Sequence, residues 1–166
     1  MRRLVFLIAL LALAMPVSLA AAKHAPVNHV FGDVTLLDFP GVTETFDVIG
    51  DPLSTAASGS FRNHFVSGGV DIDVTGTVDC LRVVGNTAYI SGTITASNNV
   101  PVGTPFYTSV RDASPDGAGD TVGTFFVGPG LTCADVQPLG LVIASGNIVI
   151  EQCEWITGSG KCKTKD

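Results

Sequence analysis

The stretch VDIDVTGTVD at residues 70–79 decides the fold. Val70, Ile72, Val74, Gly76 and Val78 share one parity, and Asp71, Asp73, Thr75, Thr77 and Asp79 share the other. A period of two marks a strand with one face in a core and the other in water. Residues 80–84 then lead into Gly85-Asn86, a pair that accepts positive φ and so turns the chain. Residues 87–97 resume the alternation, with Ala88, Ile90, Gly92 and Ile94 on one face and Tyr89, Ser91, Thr93 and Thr95 on the other.

Outward from this hairpin the same chemistry recurs. Residues 106–110 and 122–127 read as short strands, and residues 139–144 and 148–152 as a hairpin about a turn at Gly146-Asn147. Phe125 and Phe126 are neighbours on one strand and must face opposite sides. Upstream, residues 30–39, 44–49 and 60–67 read as weaker strands. Beyond residue 22 no segment carries a helical apolar stripe of ten or more residues, and 19 glycines and nine prolines punctuate the chain. The expectation is all-β: a single antiparallel domain of about 8–9 strands, joined as a meander. Such a meander closes into a barrel or folds into a two-layer β-sandwich. The barrel is preferred because closure removes exposed edges.

The chain has 166 residues, of which 46% are hydrophobic and 14% charged. An average soluble protein carries about 25% charged residues. This composition excludes a disordered chain, which needs few apolar residues and high net charge. The formal charge of −6 leaves no basic surface for phosphates, so nucleic acid is excluded as the main partner.

Part of the apolar content has another use. Arg2 and Arg3 precede an unbroken apolar run at residues 4–15, followed by Pro16, Ser18 and the small residues Ala20, Ala21 and Ala22. That order is the pattern of a signal peptide, spanning residues 1–22 and cut after Ala20 or Ala22. Twelve helical residues rise about 18 Å, short of a bilayer core of roughly 30 Å. The expected product is secreted: extracellular, or periplasmic if the source is Gram-negative, with no transmembrane segment in the mature chain. Loss of Arg2 and Arg3 removes two positive charges and takes the formal charge from −6 to −8. Between His24 and Ile150 only Arg62, Arg82 and Arg111 are basic, while Lys161, Lys163 and Lys165 crowd the end. The chain thus divides into the signal peptide, a β-domain at residues 23–152 and a disulfide-looped basic tail at residues 153–166.

Cys80, Cys133, Cys153 and Cys162 all lie in the mature part, and an even number in an exported chain reads as disulfides. Three pairings are open. Cys153 and Cys162 flank Gly158-Ser159-Gly160, which suits a short closed loop and leaves Cys80 with Cys133. Zinc is disfavoured, because no C-x-x-C pair exists and histidine is sparse.

A linked set of segments carries a resemblance over residues 59–150. It comprises Gly59-Ser60-Phe61, GTVDCLRV at 76–83, GNTAYISG at 85–92, VGTP at 102–105, VRD at 110–112, GPGLTC at 128–133 and GNIVI at 146–150. In this order they resemble a group of exported, uncharacterised all-β proteins of bacteria, of actinobacterial type. The resemblance implies an exported all-β domain with Cys80 paired to Cys133, and it implies no activity. Its relatives carry Asn-Gly-Glu-Pro-Gly where this chain has ASPDG at residues 113–117, so the acidic position differs. The tail from Cys153 to Cys162 lies outside it.

Chemistry has three candidate places. Asp112, Asp116 and Asp120, with Gly117 and Gly119 between them, would offer Ca²⁺ part of the six to eight oxygen ligands it takes. The spacing is not that of an EF-hand, and Asp and Gly also gather in plain turns. Asp71 and Asp73 share a strand face, as an acid and base pair for glycoside hydrolysis would, or as a solvated face. His64 is the one histidine of the strand region, but no G-x-S-x-G elbow accompanies it. Trp155, inside the Cys153–Cys162 loop, marks an interaction point or a plug for the barrel end. No other cofactor signal is present, since no Gly-rich loop leads into a helix.

Three functions follow. The first is an exported, non-catalytic β-domain that binds a small ligand or sits at the cell surface. The second is a secreted hydrolase using carboxylates or His64. The third is a structural envelope component.

Overall fold

The computed structural model describes residues 26–130, 132–135, 140–156 and 161–164, with no side chains beyond residue 154. The expected signal peptide lies outside the described residues. Ten strands follow one another: β1 (Pro26–Leu36), β2 (Thr43–Gly50), β3 (Ala56–Ser67), β4 (Val70–Val84), β5 (Thr87–Ser97), β6 (Pro105–Arg111), β7 (Thr121–Val122), β8 (Phe126–Val127), β9 (Leu141–Ile156) and β10 (Lys161–Thr164). The hydrogen-bonded order is β1-β2-β3-β4-β5-β6-β7-β9-β10, with β8 on β6, and every pairing is antiparallel. β1 also pairs with β9 from Pro26↔Glu154 to Leu36↔Ile143. The meander therefore closes into an eight-stranded barrel, not a sandwich. No helix occurs among the described residues.

The alternation read from residues 70–79 is the wall of this barrel. Ile72, Val74 and Val78 are buried inside, while Val70, at the strand end, is exposed. The parity then changes. Val78 pairs with Gly92 and Cys80 with Ser91, so Asp79 is an extra residue, a β-bulge. The bulge puts Leu81 inside and turns Cys80 outward, where it meets Cys133 in a disulfide. That cross-link straps the segment around Cys133 over the outside of β4 and β5. Cys133 N–H donates to Ser91 Oγ (3.0 Å), and Arg82 Nε donates to the Cys133 carbonyl (3.2 Å) while its guanidinium covers Tyr89.

The centre of the barrel is packed. Phe61 stacks on Phe106 (4.8 Å between centroids) and on Phe125 (5.2 Å), over a core that includes Phe46, Val48, Ile90, Ile94 and Ile148. Gly76 makes this possible: a Cβ there would collide with the Phe106 ring. Phe126, by contrast, lies outside against Tyr107 (5.0 Å), as strand geometry requires of neighbours.

Two sequence expectations are corrected. Residues 139–152 are not a hairpin. β9 runs unbroken through Gly146-Asn147, because Gly146 adopts φ +102° and lets the backbone of β1 approach where a Cβ would strike the Asp33 carbonyl. Residues 122–127 are not one strand either. The chain leaves the ladder after Val122, with Gly123 N–H bound to the Ser109 carbonyl (2.6 Å), and rejoins β6 only at Phe126. β9 also crosses the expected domain boundary after residue 152, and β10 extends the same sheet along residues 153–156. Cys153 is disulfide-bonded. The side chains of Cys162, its expected partner, and of Trp155 lie outside the described ones.

Overpacking a filled core costs typically 1–3 kcal/mol. Gly76→Ala is therefore expected to lower the urea midpoint by an amount worth about 1–3 kcal/mol, and the outward Thr77→Ala by less than about 0.5 kcal/mol.

Candidate functional site

Among the described residues, one mouth of the barrel is open above the aromatic layer. A cavity of about 220 Å³ lies there, lined by Leu36, Phe39, Val42, Phe65, Thr124, Phe125 and Leu141, together with Glu44 and Asn63. The walls are apolar and come from β1, the β1–β2 connection, β3, the strand-free stretch before β8, and β9. Phe39 is half exposed at the rim. The volume falls below the roughly 300–1,000 Å³ of drug-sized sites, so it suits a small molecule or one end of a longer one.

Glu44 and Asn63 supply the polarity. They sit opposite one another on β2 and β3, at positions whose parity points inward with Phe46 and Phe61. Glu44 is 1% exposed and Asn63 3%. Asn63 Nδ2 donates to Glu44 Oε1 at 2.8 Å. Glu44 Oε2 and Asn63 Oδ1 are both buried and have no hydrogen-bond partner in the protein. Burial pushes the Glu44 carboxyl up to about 8, against the smaller, opposite pull of the Asn63 hydrogen bond. Glu44 is thus mainly a neutral carboxylic acid at pH 7, with its O–H on Oε2. Among the described residues no basic side chain lines the cavity.

The residues singled out from sequence do not form this site. Asp112, Asp116 and Asp120 do not gather into a cluster of ligand atoms. Each is occupied by its own neighbours. Asp120, fully buried, accepts from Ala113 N–H (2.7 Å) and Ile148 N–H (2.9 Å) through its two oxygens. Asp112 accepts from Ile150 N–H (3.1 Å). Asp116 accepts from Ser114 Oγ (2.5 Å) and Ala118 N–H (3.2 Å), and those bonds hold its carboxyl below the usual carboxylate range.

Asp71 and Asp73 lie on the outer wall beside His64 and Arg62. Arg62 grips Asp73 with two bonds (2.9 and 2.7 Å), and this bidentate contact lowers the Asp73 carboxyl. His64 Nε2 contacts Asp71 at 2.6 Å, with Asp71 70% exposed and no serine in the pair. Asp71 and Asp73 line an open cavity of about 450 Å³ with Thr75, Ser97 and Asn98, but among the described residues no hydroxyl or thiol nucleophile hydrogen-bonds to His64. One group with metal-ligand spacing exists among the described residues, His29, Glu151 and Cys153, but Cys153 is spent in a disulfide and offers no thiolate.

Sequence reasoning passed over Glu44 and Asn63. A signal was present: in Val42-x-Glu44-x-Phe46-x-Val48 and Phe61-x-Asn63-x-Phe65 a polar residue stands on the apolar parity.

Three outcomes follow. Removal of Asp120 orphans two buried N–H groups, so Asp120→Ala is expected to destabilise by about 2–5 kcal/mol in chemical unfolding. Calcium or a chelator is expected to leave the Tm of the wild type unchanged. Because the folded Glu44 carboxyl lies above its ordinary 4.5, its contribution is complete below pH 4.5 and is lost as pH rises toward 8. The stability difference between wild type and Glu44→Gln is expected to shift against the wild type over that window, by at most about 1.4 kcal/mol per pH unit. A difference flat with pH would show that Glu44 stays ionised.

No known protein family, curated protein or solved structure matches the chain.

Proposed function

We propose that this protein is an exported, non-catalytic barrel that binds a small, largely apolar molecule at the mouth formed by Leu36, Phe39, Val42, Phe65, Phe125 and Leu141. One observation carries the reading: an apolar cavity at the open end of an otherwise packed barrel, with a buried and half-satisfied polar pair in its wall. Eight-stranded barrels are just wide enough to be filled by side chains or to hold one small ligand. Here the aromatic layer fills the middle, which leaves the mouth. Apolar walls supply affinity, and a few fixed polar groups supply orientation.

Export is supported by the cationic start, the apolar run at residues 4–15 and the small residues at 20–22. β1 begins at Pro26, after both expected cut points. The disulfide between Cys80 and Cys133 is weakly compatible with an oxidising compartment. Intact mass of the protein recovered from culture medium or periplasm is expected to correspond to a chain starting at Ala21 or Lys23. A full-length mass in the cytosol would overturn the export reading.

Binding is tested by thermal shift and ligand-observed NMR with small aromatic probes, toluene and benzyl alcohol. One-to-one saturable binding is expected, with stability raised by about 2.7 kcal/mol at a probe concentration a hundred times Kd. Leu141→Trp, which fills the rim, is expected to abolish it while the protein stays folded. Binding that survives this change places the ligand elsewhere.

A further inference from the structure

The Glu44–Asn63 pair also says what the ligand must carry. We propose that the molecule taken up at the barrel mouth bears, at its buried end, one uncharged group that both accepts and donates a hydrogen bond: a hydroxyl or a carboxamide. The inference rests on the ligand-binding reading above and specifies its chemistry.

The argument is a count of donors and acceptors. Asn63 Nδ2 and Glu44 Oε1 satisfy one another. Two atoms have no partner at all, Glu44 Oε2, whose O–H donates, and Asn63 Oδ1, which accepts; the second N–H of Asn63 Nδ2 is a further donor. Turning the Asn63 amide over exchanges the roles: Glu44 Oε2 then accepts and the Asn63 amino group donates. A hydroxyl answers both with a single oxygen, and a carboxamide answers both with its carbonyl and N–H. A ketone or ether would accept from Glu44 but leave Asn63 unpaired. A plain hydrocarbon would leave both unpaired, at a cost of about 1–3 kcal/mol each.

Charged ligands fit worse. Among the described residues no Arg, Lys or His lines the cavity to meet a carboxylate or phosphate. An ammonium group would require Glu44 to ionise in a site that is 1% exposed, and both charges would lose their hydration. The lining contributed by β1, the β1–β2 connection, β3, residues 124–125 and β9 holds no titratable group besides Glu44 itself. Raising the pH above 8 therefore acts on this one group among the lining residues and removes its O–H donor.

The test compares four probes of similar size on the exported protein at pH 6.5: benzyl alcohol, benzamide, toluene and benzylamine, with Kd from calorimetry or ligand-observed NMR. Benzyl alcohol or benzamide is expected to bind about tenfold more tightly than toluene and benzylamine. The preference is expected to disappear in the double variant Glu44→Leu/Asn63→Leu, in which both partners become apolar and folding is kept. Glu44→Gln, which retains a donor and an acceptor, is expected to keep the preference at pH 9, where the wild type loses it. Toluene binding as tightly as the alcohol and the amide would overturn the head-group assignment and leave the pocket standing. Benzylamine binding tightest would replace it with a cation site on ionised Glu44. Failure of all four to bind would overturn the ligand-binding reading together with this one.

Discussion

A barrel exists only if every strand finds partners along both edges, and here the seam beside β9 is where that condition is hardest to meet. β9 has 16 residues, and β1 covers one of its edges almost throughout. On the other edge β7 supplies two residues, and β10 begins only opposite residue 156. The gap is closed by the loop at residues 112–120. The Asp120 carbonyl takes Ile143 N–H at 3.4 Å, the Asp120 carboxylate takes Ile148 N–H, and the Asp112 carboxylate takes Ile150 N–H. Side-chain oxygens stand where a strand's carbonyls would be. Buried N–H groups left unpaired would cost more than this loop's ordering, so the acidic residues belong to the architecture.

The interior inherits its shape from that closure. Glycines on the inner face give way to phenylalanine rings, and the stacked rings of Phe61, Phe106 and Phe125 floor the mouth. Above the floor the barrel places the buried Glu44 carboxyl next to an amide, among apolar walls. The outer wall uses the opposite chemistry. Arg62 with Asp73 is a cross-strand ion pair, and His64 with Asp71 and His29 with Asp47 and Glu151 are cross-strand hydrogen-bonded pairs, all in or near water. Such pairs are worth little in stability and keep the acidic exterior wet. Ionic contacts outside and a neutral hydrogen-bonding pair inside divide one sheet into two chemical surfaces.

The fold was legible where the pattern is local. Residues 70–97 alternate so regularly that strand, turn and inward face can be read directly, up to the bulge at Asp79 that flips Cys80. Gly146-Asn147 could not be read, because a turn and a close approach of two backbones both ask for the same glycine. The acidic loop misled for a similar reason, since carboxylate oxygens suit calcium and suit backbone N–H groups equally, and only the position of the donors decides. Glu44 and Asn63 stand on the apolar parity of their strands, but that they face each other depends on the register of β2 against β3, which no local pattern encodes.

The order of the sheet ends on β10, which pairs with β9 along one side and, among the described residues, has no strand on its other side. Barrel closure otherwise hides the ladders that let β-proteins polymerise, so β10 is where one molecule could capture another by strand addition. Its sequence is Lys161-Cys162-Lys163-Thr164, with two lysines on one parity. Two copies joining there edge to edge would bring like charges together, which opposes the pairing. Lysines at 161 and 163 would thus disfavour self-assembly at the strand that ends the described order.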